Sequence, residues 1–199
     1  MIGNDIVDIA EAARKSDWRR KGFLRKVFTG KEQLYISNSD NPDLIVWLLW
    51  SMKESAYKIY LRQQRKYFVS PLKLESELIT CFKGSFKGKV FIENFVFSTN
   101  SKVTKEFIST TALADGKLRR GEIFQKDLEF RNKDFDKQRK EIYLSISKTF
   151  SEKINKPTGK ISIKKDNFGI PYIFEEQRQL EASVSISHHG RYGAYAFVF

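Results

Sequence analysis

The stretch from Pro42 to Arg65 constrains this chain most, because Leu44, Trp47, Leu48, Met52, Ala56, Ile59 and Tyr60 recur at the three-and-four spacing of a long buried helix. Proline in the first turn suits its start, where a missing N–H costs nothing. After Pro71 the period changes to two. Leu72 to Phe82, Lys89 to Thr99 and Glu106 to Leu113 are rich in β-branched and aromatic residues, and Lys83-Gly84-Ser85 and Asn100-Ser101-Lys102 separate them. This predicts an antiparallel meander. Met1 to Ile9 reads as a first strand and 16–28 as a helix. Thr29-Gly30-Lys31-Glu32 has the spacing of a capping box that opens a short helix through Ile36. Beyond a polar gap from Asp115 to Gly121, residues 131–153 resume helical spacing, with Phe135, Ile142, Ile146 and Phe150 on one stripe. Ile161 to Lys165, Val184 to Ser187 and Tyr192 to Phe199 read as strands that close the sheet. Helices and strands grouped in blocks predict an α+β fold.

Composition narrows the class. A chain of 199 residues, 41% hydrophobic, can bury a real core as one domain or two fused halves. One cysteine, Cys81, cannot form an internal disulfide and fits a reducing compartment. No signal-like segment opens the sequence, and the run from Leu44 to Trp50 is too short to span a bilayer, so a cytoplasmic protein without membrane contact is expected. With two adjacent histidines and one cysteine no zinc cluster is expected, and Walker or Rossmann glycine loops are absent.

The net charge of +12 is unevenly spread. Arg14, Lys15, Arg19, Arg20, Lys21, Arg25, Lys26 and Lys31 are opposed only by Asp17. Such a stretch calls for an acidic partner. A phosphate backbone is the rival to an acidic protein, since Trp18 and Phe23 lie nearby, although no nucleic-acid-binding motif accompanies them. A solvated basic face with no dedicated partner is a third reading.

Candidate chemistry sits in Trp50-Ser51-Met52-Lys53-Glu54-Ser55-Ala56-Tyr57-Lys58 and in Gly3-Asn4-Asp5-Ile6-Val7-Asp8. Glu54 and Lys58 share a helix face, where a carboxylate can hold a metal and an ammonium can meet the phosphate beyond it. The same spacing is also among the commonest surface pairs on any helix. Asp5 can supply a second carboxylate, and two acids with a lysine suffice for Mg²⁺ on a diphosphate, because substrate oxygens and water complete its octahedron.

A third segment, Ser183 to Phe199, contains Ser185-Ile186-Ser187-His188, and a fourth is Asp166-Asn167-Phe168-Gly169-Ile170-Pro171. The four together resemble the G-x-D, W-x-x-K-E-x-x-x-K, G-K-P and S-I-S-H motifs of the 4′-phosphopantetheinyl transferase superfamily. That resemblance implies an enzyme of the holo-acyl carrier protein synthase type, which moves phosphopantetheine from coenzyme A to a carrier-protein serine and releases 3′,5′-ADP. It implies Mg²⁺ held by Asp5 and Glu54, with Glu54 also a candidate base and Lys58 stabilising the departing 3′,5′-ADP. Lys53 is expected to touch phosphate, and His188 the 3′-phosphate of coenzyme A. Ser187, Gly169 and Pro171 would border its adenine. Arg19, Arg20, Arg25 and Lys26 would dock an acidic carrier, as in fatty acid synthesis, rather than nucleic acid. A non-catalytic basic module binding nucleic acid or an acidic protein is the alternative.

Motif order adds one expectation. Small relatives present these motifs in a shorter chain that assembles as a trimer, whereas larger ones fuse two halves with the S-I-S-H half first. Here 1–115 resembles the G-x-D half and 116–199 the other. The expected architecture is therefore a pseudo-dimer of two similar α+β halves in exchanged order, a monomer with the coenzyme A cleft between them. Three departures matter. Val7 stands where larger relatives carry a further acid, so two carboxylates are implied, and Asp8 would point to the other face of the strand. Ile170 replaces the lysine of G-K-P. His189 has no assigned role.

Overall fold

A computed structural model describes residues 1–67, 70–114, 123–132 and 134–199. The architecture is α+β. The first strand, β1 (Ile2–Asp8), runs directly into α1 (Ile9–Lys15), because the Asp8 carboxylate accepts from the Glu11 N–H and caps the helix at once. The helix expected over 16–28 is therefore displaced and split. After α1 the chain turns, passes Gly22 in the left-handed region (φ 84°), and forms only the short α2 (Phe23–Val27). The capping box at Thr29 and Glu32 is formed in both directions and opens α3 (Gly30–Ser37). The long helix, α4 (Pro42–Gln64), starts at its proline as expected.

The meander has four strands rather than three: β2 (Glu75–Phe82), β3 (Ser85–Ile92), β4 (Phe95–Val103) and β5 (Phe107–Ala114). The expected strand Lys89 to Thr99 is broken by a turn at Glu93 (φ 52°), and Asn100 to Lys102, read as a separator, lies within β4. The gap from Asp115 to Gly121 lies outside the described residues. Beyond it come β6 (Phe124–Glu129), α5 (Phe135–Ile154), β7 (Ile161–Lys165), β8 (Pro171–Glu175), β9 (Arg178–Gln179), β10 (Ser183–His189) and β11 (Tyr192–Val198). Of these, β6, β8 and β9 carry no clear alternation and escape a reading by period.

Tyr192 to Phe199 does not close a single sheet. Three antiparallel sheets form, in the orders β1-β5-β4-β3-β2, β10-β11-β6 and β7-β8-β9. The arrangement β1-β5-β4 is repeated by β6-β11-β10, with the opening strand beside the closing one in each case. One core packs α4 on the five-stranded sheet through Leu48, Met52 and Ile59, and a second packs α5 on the other sheets through Ile146, Phe150, Ile173 and Phe197. Among the described residues no helix is long and apolar enough to cross a membrane.

Two contacts position the site. Gly3 lets α4 lie directly on β1, since a Cβ there would stand 2.0 Å from the Ser55 carbonyl oxygen. On its other side β1 is a sheet edge whose N–H groups need partners. Strand β10 supplies them from side chains on one of its faces. The Ile2 N–H donates to Ser183 Oγ (3.0 Å), Asn4 N–H to Ser185 Oγ (2.9 Å) and Asp8 N–H to His189 Nδ1 (3.0 Å). The alternating serines and His189 are thus the stitch between the halves.

Candidate active site

The odd positions of β1 face α4, and Asp5 meets that helix where Glu54 and Lys58 project. Lys58 Nζ lies 3.4 Å from Asp5 Oδ1 and donates to the Asn4 carbonyl at 2.6 Å. The Asp5 side chain is 14% exposed. Burial pushes its carboxyl above the usual range, and the Lys58 charge and Ser51 hydroxyl offset this only in part. Glu54 is pushed up to about 7, first by burial, then by repulsion from Asp5, with Lys58 opposing. Two neighbouring carboxylates, of which Asp5 raises the proton affinity of Glu54 while Lys58 opposes the rise in both, form a hard-oxygen donor pair suited to a divalent cation. Among the described residues no group of three or more His, Cys, Asp or Glu gathers. A two-carboxylate set fits an ion that draws its remaining ligands from substrate and water.

Glu54 and Lys58 border a cleft of about 270 Å³ between α4 and the second half of the chain. Its far wall comprises Lys165, the turn from Phe168 to Pro171, and β10 from Val184 to Ile186. Gly169 adopts φ 73°, and Asp166 Oδ1 accepts from the Phe168 and Ile170 N–H groups, which fixes the turn. Arg62, two turns beyond Glu54 on the same face, spans the cleft to donate to the Pro171 and Val184 carbonyls at 2.8 and 2.7 Å. Lys165 is held below the usual lysine range by burial and by the neighbouring charges of Lys58 and Arg139. Lys58, Arg62 and Lys165 thus bring three cationic side chains to the cleft. Ile170 is buried, and Lys165, to which the sequence gave no pointer, lines the same cleft. Arg62 was also missed, although its spacing from Lys58 gave a usable signal.

The other expected residues separate into those near this cleft and those away from it. Lys53 is a correction: one residue from Glu54 on a helix, it points elsewhere and does not reach the phosphate side. Its ammonium meets Glu32 Oε2 at 2.7 Å and donates to the Val27 and Pro71 carbonyls at 2.7 and 3.0 Å. Ser187 accepts from Asn4 Nδ2 at 2.9 Å as part of the stitch between β1 and β10. His188, on the opposite face of β10, packs against Phe130 and Phe135 and hydrogen-bonds Gln138. It lines a separate cavity of about 590 Å³ with Arg14, Lys15 and Arg191. Burial, then the adjacent His189, hold it below the usual histidine range. In the basic segment, Arg19 pairs with both oxygens of Asp43 at 2.8 Å and stacks over Trp18. Arg20 lies over Phe23, while Arg25 and Lys26 are exposed on α2.

A family model described as the 4′-phosphopantetheinyl transferase superfamily matches residues 1–112. A comparison with curated proteins finds no match. Among solved structures the chain is similar to the holo-[acyl-carrier-protein] synthase of Helicobacter pylori, crystallised with coenzyme A, at 17% identity and a TM-score of 0.43, over 58% of this chain and 100% of that one. It is also similar to the Thermotoga maritima holo-[acyl-carrier-protein] synthase, at 10% identity and a TM-score of 0.43, over 89% of this chain and 83% of that one.

Proposed function

The chain belongs to the 4′-phosphopantetheinyl transferase superfamily, and on that premise we propose that it moves phosphopantetheine from coenzyme A to a serine of an acidic acyl carrier protein, as a holo-[acyl-carrier-protein] synthase of fatty acid synthesis. The observation that carries this reading is the convergence of Asp5, Glu54 and Lys58 at a cleft whose opposite wall presents Lys165 and the turn from Phe168 to Pro171. Asp5 and Glu54 are the residues to hold Mg²⁺, which when bound neutralises diphosphate oxygens. In the reaction the serine oxygen attacks the phosphorus that bears pantetheine, and the bond from that phosphorus to the oxygen of 3′,5′-ADP breaks. Glu54 is also the candidate to accept the serine proton. Lys58 Nζ, already oriented by the Asn4 carbonyl, meets the negative charge that builds on the leaving oxygen. Lys165 and Arg62 hold the nucleotide phosphates, and Gly169 and Pro171 border the base.

The exposed charges of Arg20, Arg25 and Lys26, with Arg19 braced by Asp43, steer the carrier's acidic surface. The repeated strand order of the two halves, with the cleft between α4 and β10, supports a single-chain pseudo-dimer, halves 1–115 and 116–199, active as a monomer. A trimer with sites shared between chains would contradict that architecture.

Intact-mass measurement of an apo-carrier protein incubated with this protein, coenzyme A and Mg²⁺ tests the activity. One phosphopantetheine should be gained with the wild type, and within the time that the wild type needs for completion only a trace with Asp5→Ala or Glu54→Ala. Undiminished modification by both variants refutes the site, and nucleic-acid binding without carrier modification favours the basic-module alternative.

A further inference from the structure

Lys53 and Glu32 form an ion pair in which neither charge faces the cleft. The Lys53 side chain is 2% exposed and that of Glu32 is fully buried. All three N–H bonds of the ammonium are taken, by Glu32 Oε2 at 2.7 Å, the Val27 carbonyl at 2.7 Å and the Pro71 carbonyl at 3.0 Å. Glu32 is filled in the same way, since Oε2 also accepts from the Thr29 N–H at 2.8 Å and Oε1 from the Ser76 N–H at 2.7 Å. One pair thus ties the end of α2, the cap of α3, the turn Pro71–Lys73 and the start of β2 to α4.

Stability alone is a poor reason for such a pair. Desolvating two charges offsets most of their attraction, and a buried pair is often no more stabilising than apolar side chains of the same volume. What it fixes is geometry. Helix α2 has five residues, too few to hold itself, and Gly22 at its start gives it no side-chain cap. Phe23 and Leu24 pack it on the core, and its C-terminal end is bound where the Val27 carbonyl meets Lys53 and the buried Phe28 ring lies 5.1 Å from the same ammonium. Arg25 and Lys26, exposed on α2, immediately precede that anchor. On the other side of it, Glu54 follows Lys53 directly on α4.

We propose that Lys53 and Glu32 are positioning residues for transfer: their buried pair holds the cationic α2 at a fixed place relative to Glu54, so that a carrier bound to Arg25 and Lys26 brings its serine to the carboxylates. Placement matters to this extent because a misalignment of about 1 Å at a reacting centre can cost about 10²-fold in rate. The assignment rests on the reading of α2 as the element that receives the acidic carrier and of Glu54 as part of the transfer site.

The experiment neutralises the pair without leaving one charge alone. Lys53→Met with Glu32→Gln keeps the side-chain volumes, and the amide that replaces the carboxylate retains an oxygen for the Thr29 or Ser76 N–H. Relative to wild type, kcat/KM for an apo-carrier protein should fall by about tenfold or more, while the calorimetric affinity for 3′,5′-ADP stays within about twofold. A cycle with Arg25→Glu and Lys26→Glu gives the readout that a merely structural role does not move. In the wild type that reversal should raise the KM for carrier by about fivefold at low salt, and in the neutralised pair by less than about twofold, because a displaced α2 no longer guides the carrier to Glu54. Glu32→Gln alone, which leaves Lys53 on its two carbonyls, should show the same split in smaller measure and serves where the double variant does not fold. Additive effects of the pair and the reversal, or equal losses toward 3′,5′-ADP and carrier, would overturn the positioning role while the proposed activity stands. A wild type that modifies no carrier would overturn that activity and this inference with it.

Discussion

Asp5 and Asp8 stand three residues apart on β1, yet the strand presents them to opposite environments. Asp8, on the even face, caps α1 through the Glu11 N–H (3.1 Å) and accepts from the Arg191 N–H (2.9 Å) and Nε (3.3 Å). Burial pushes its carboxyl up, but those donors and the Arg191 charge outweigh burial, and the net shift is downward. Asp5, on the odd face, has no backbone N–H donors among the described residues, only Lys58, the Ser51 hydroxyl and the charge of His189, to set against burial, and remains raised. The difference separates a carboxylate satisfied by the fold from one left under-satisfied where a ligand can complete it. The same contrast divides the two lysines of α4: Lys53 is enclosed by three oxygens, while Lys58 faces the cleft with one acid and one carbonyl.

The largest expected effect breaks the contrast between the aspartates directly. Asp5→Ala should lower transfer by about 10²–10³-fold, the scale of losing a group that acts on developing charge, with little loss of stability. Asp8→Ala should leave the turnover of folded molecules nearly unchanged. Next comes the lysine pair. Lys53→Met leaves Glu32 buried without its cation and should cost about 3–5 kcal/mol in urea unfolding, whereas Lys58→Met should spare stability and lower kcat. A loss of stability from Lys58→Met matching that from Lys53→Met would erase the distinction. Smaller is the stability cost of Asp8→Ala, about 1–3 kcal/mol for a lost cap and a lost buried acceptor, seen as a lower Tm.

Titration sharpens the comparison further. Glu54 holds its proton up to about pH 7 in the folded protein against 4.5 ordinarily, so folding takes up protons between those values. Stability of the cation-free protein should therefore fall as pH rises from about 4.5 through about 7, and affinity for Mn²⁺, read by calorimetry, should rise over the same interval. A cation affinity flat across that interval would remove Glu54 from the ligand set. Smallest is the effect of reversing Arg25 and Lys26 to Glu. The KM for carrier should rise by about fivefold at low salt, with kcat unchanged and the difference fading as salt is added.

Much of the site was legible because it is local. The capping box, the proline-started α4 and the shared face of Glu54 and Lys58 follow from spacing within a few residues. Where Lys53 points could also have been inferred, since adjacent helical residues diverge by about 100°. Its partner could not, because Glu32 reaches it only through packing of α3 on α4. Lys165 was equally hidden: a strand pair more than a hundred residues beyond Lys58 brings it to the cleft. His189 gains a role through alternation along β10, as the acceptor that completes the edge of β1, and that role exists only once the two strands meet.

Local pattern alone determined that this chain forms a long buried helix beside a meander, and that one acid and one base on that helix share a face, because backbone geometry sets periodicity without reference to distant residues. Tertiary structure decided which charges remain unsatisfied. Burial and the arrival of partners, Glu32 of α3 for Lys53 and Arg191 for Asp8, settle whether a given carboxylate or ammonium stabilises the fold or stays poised for a ligand, and those neighbours lie far off in sequence.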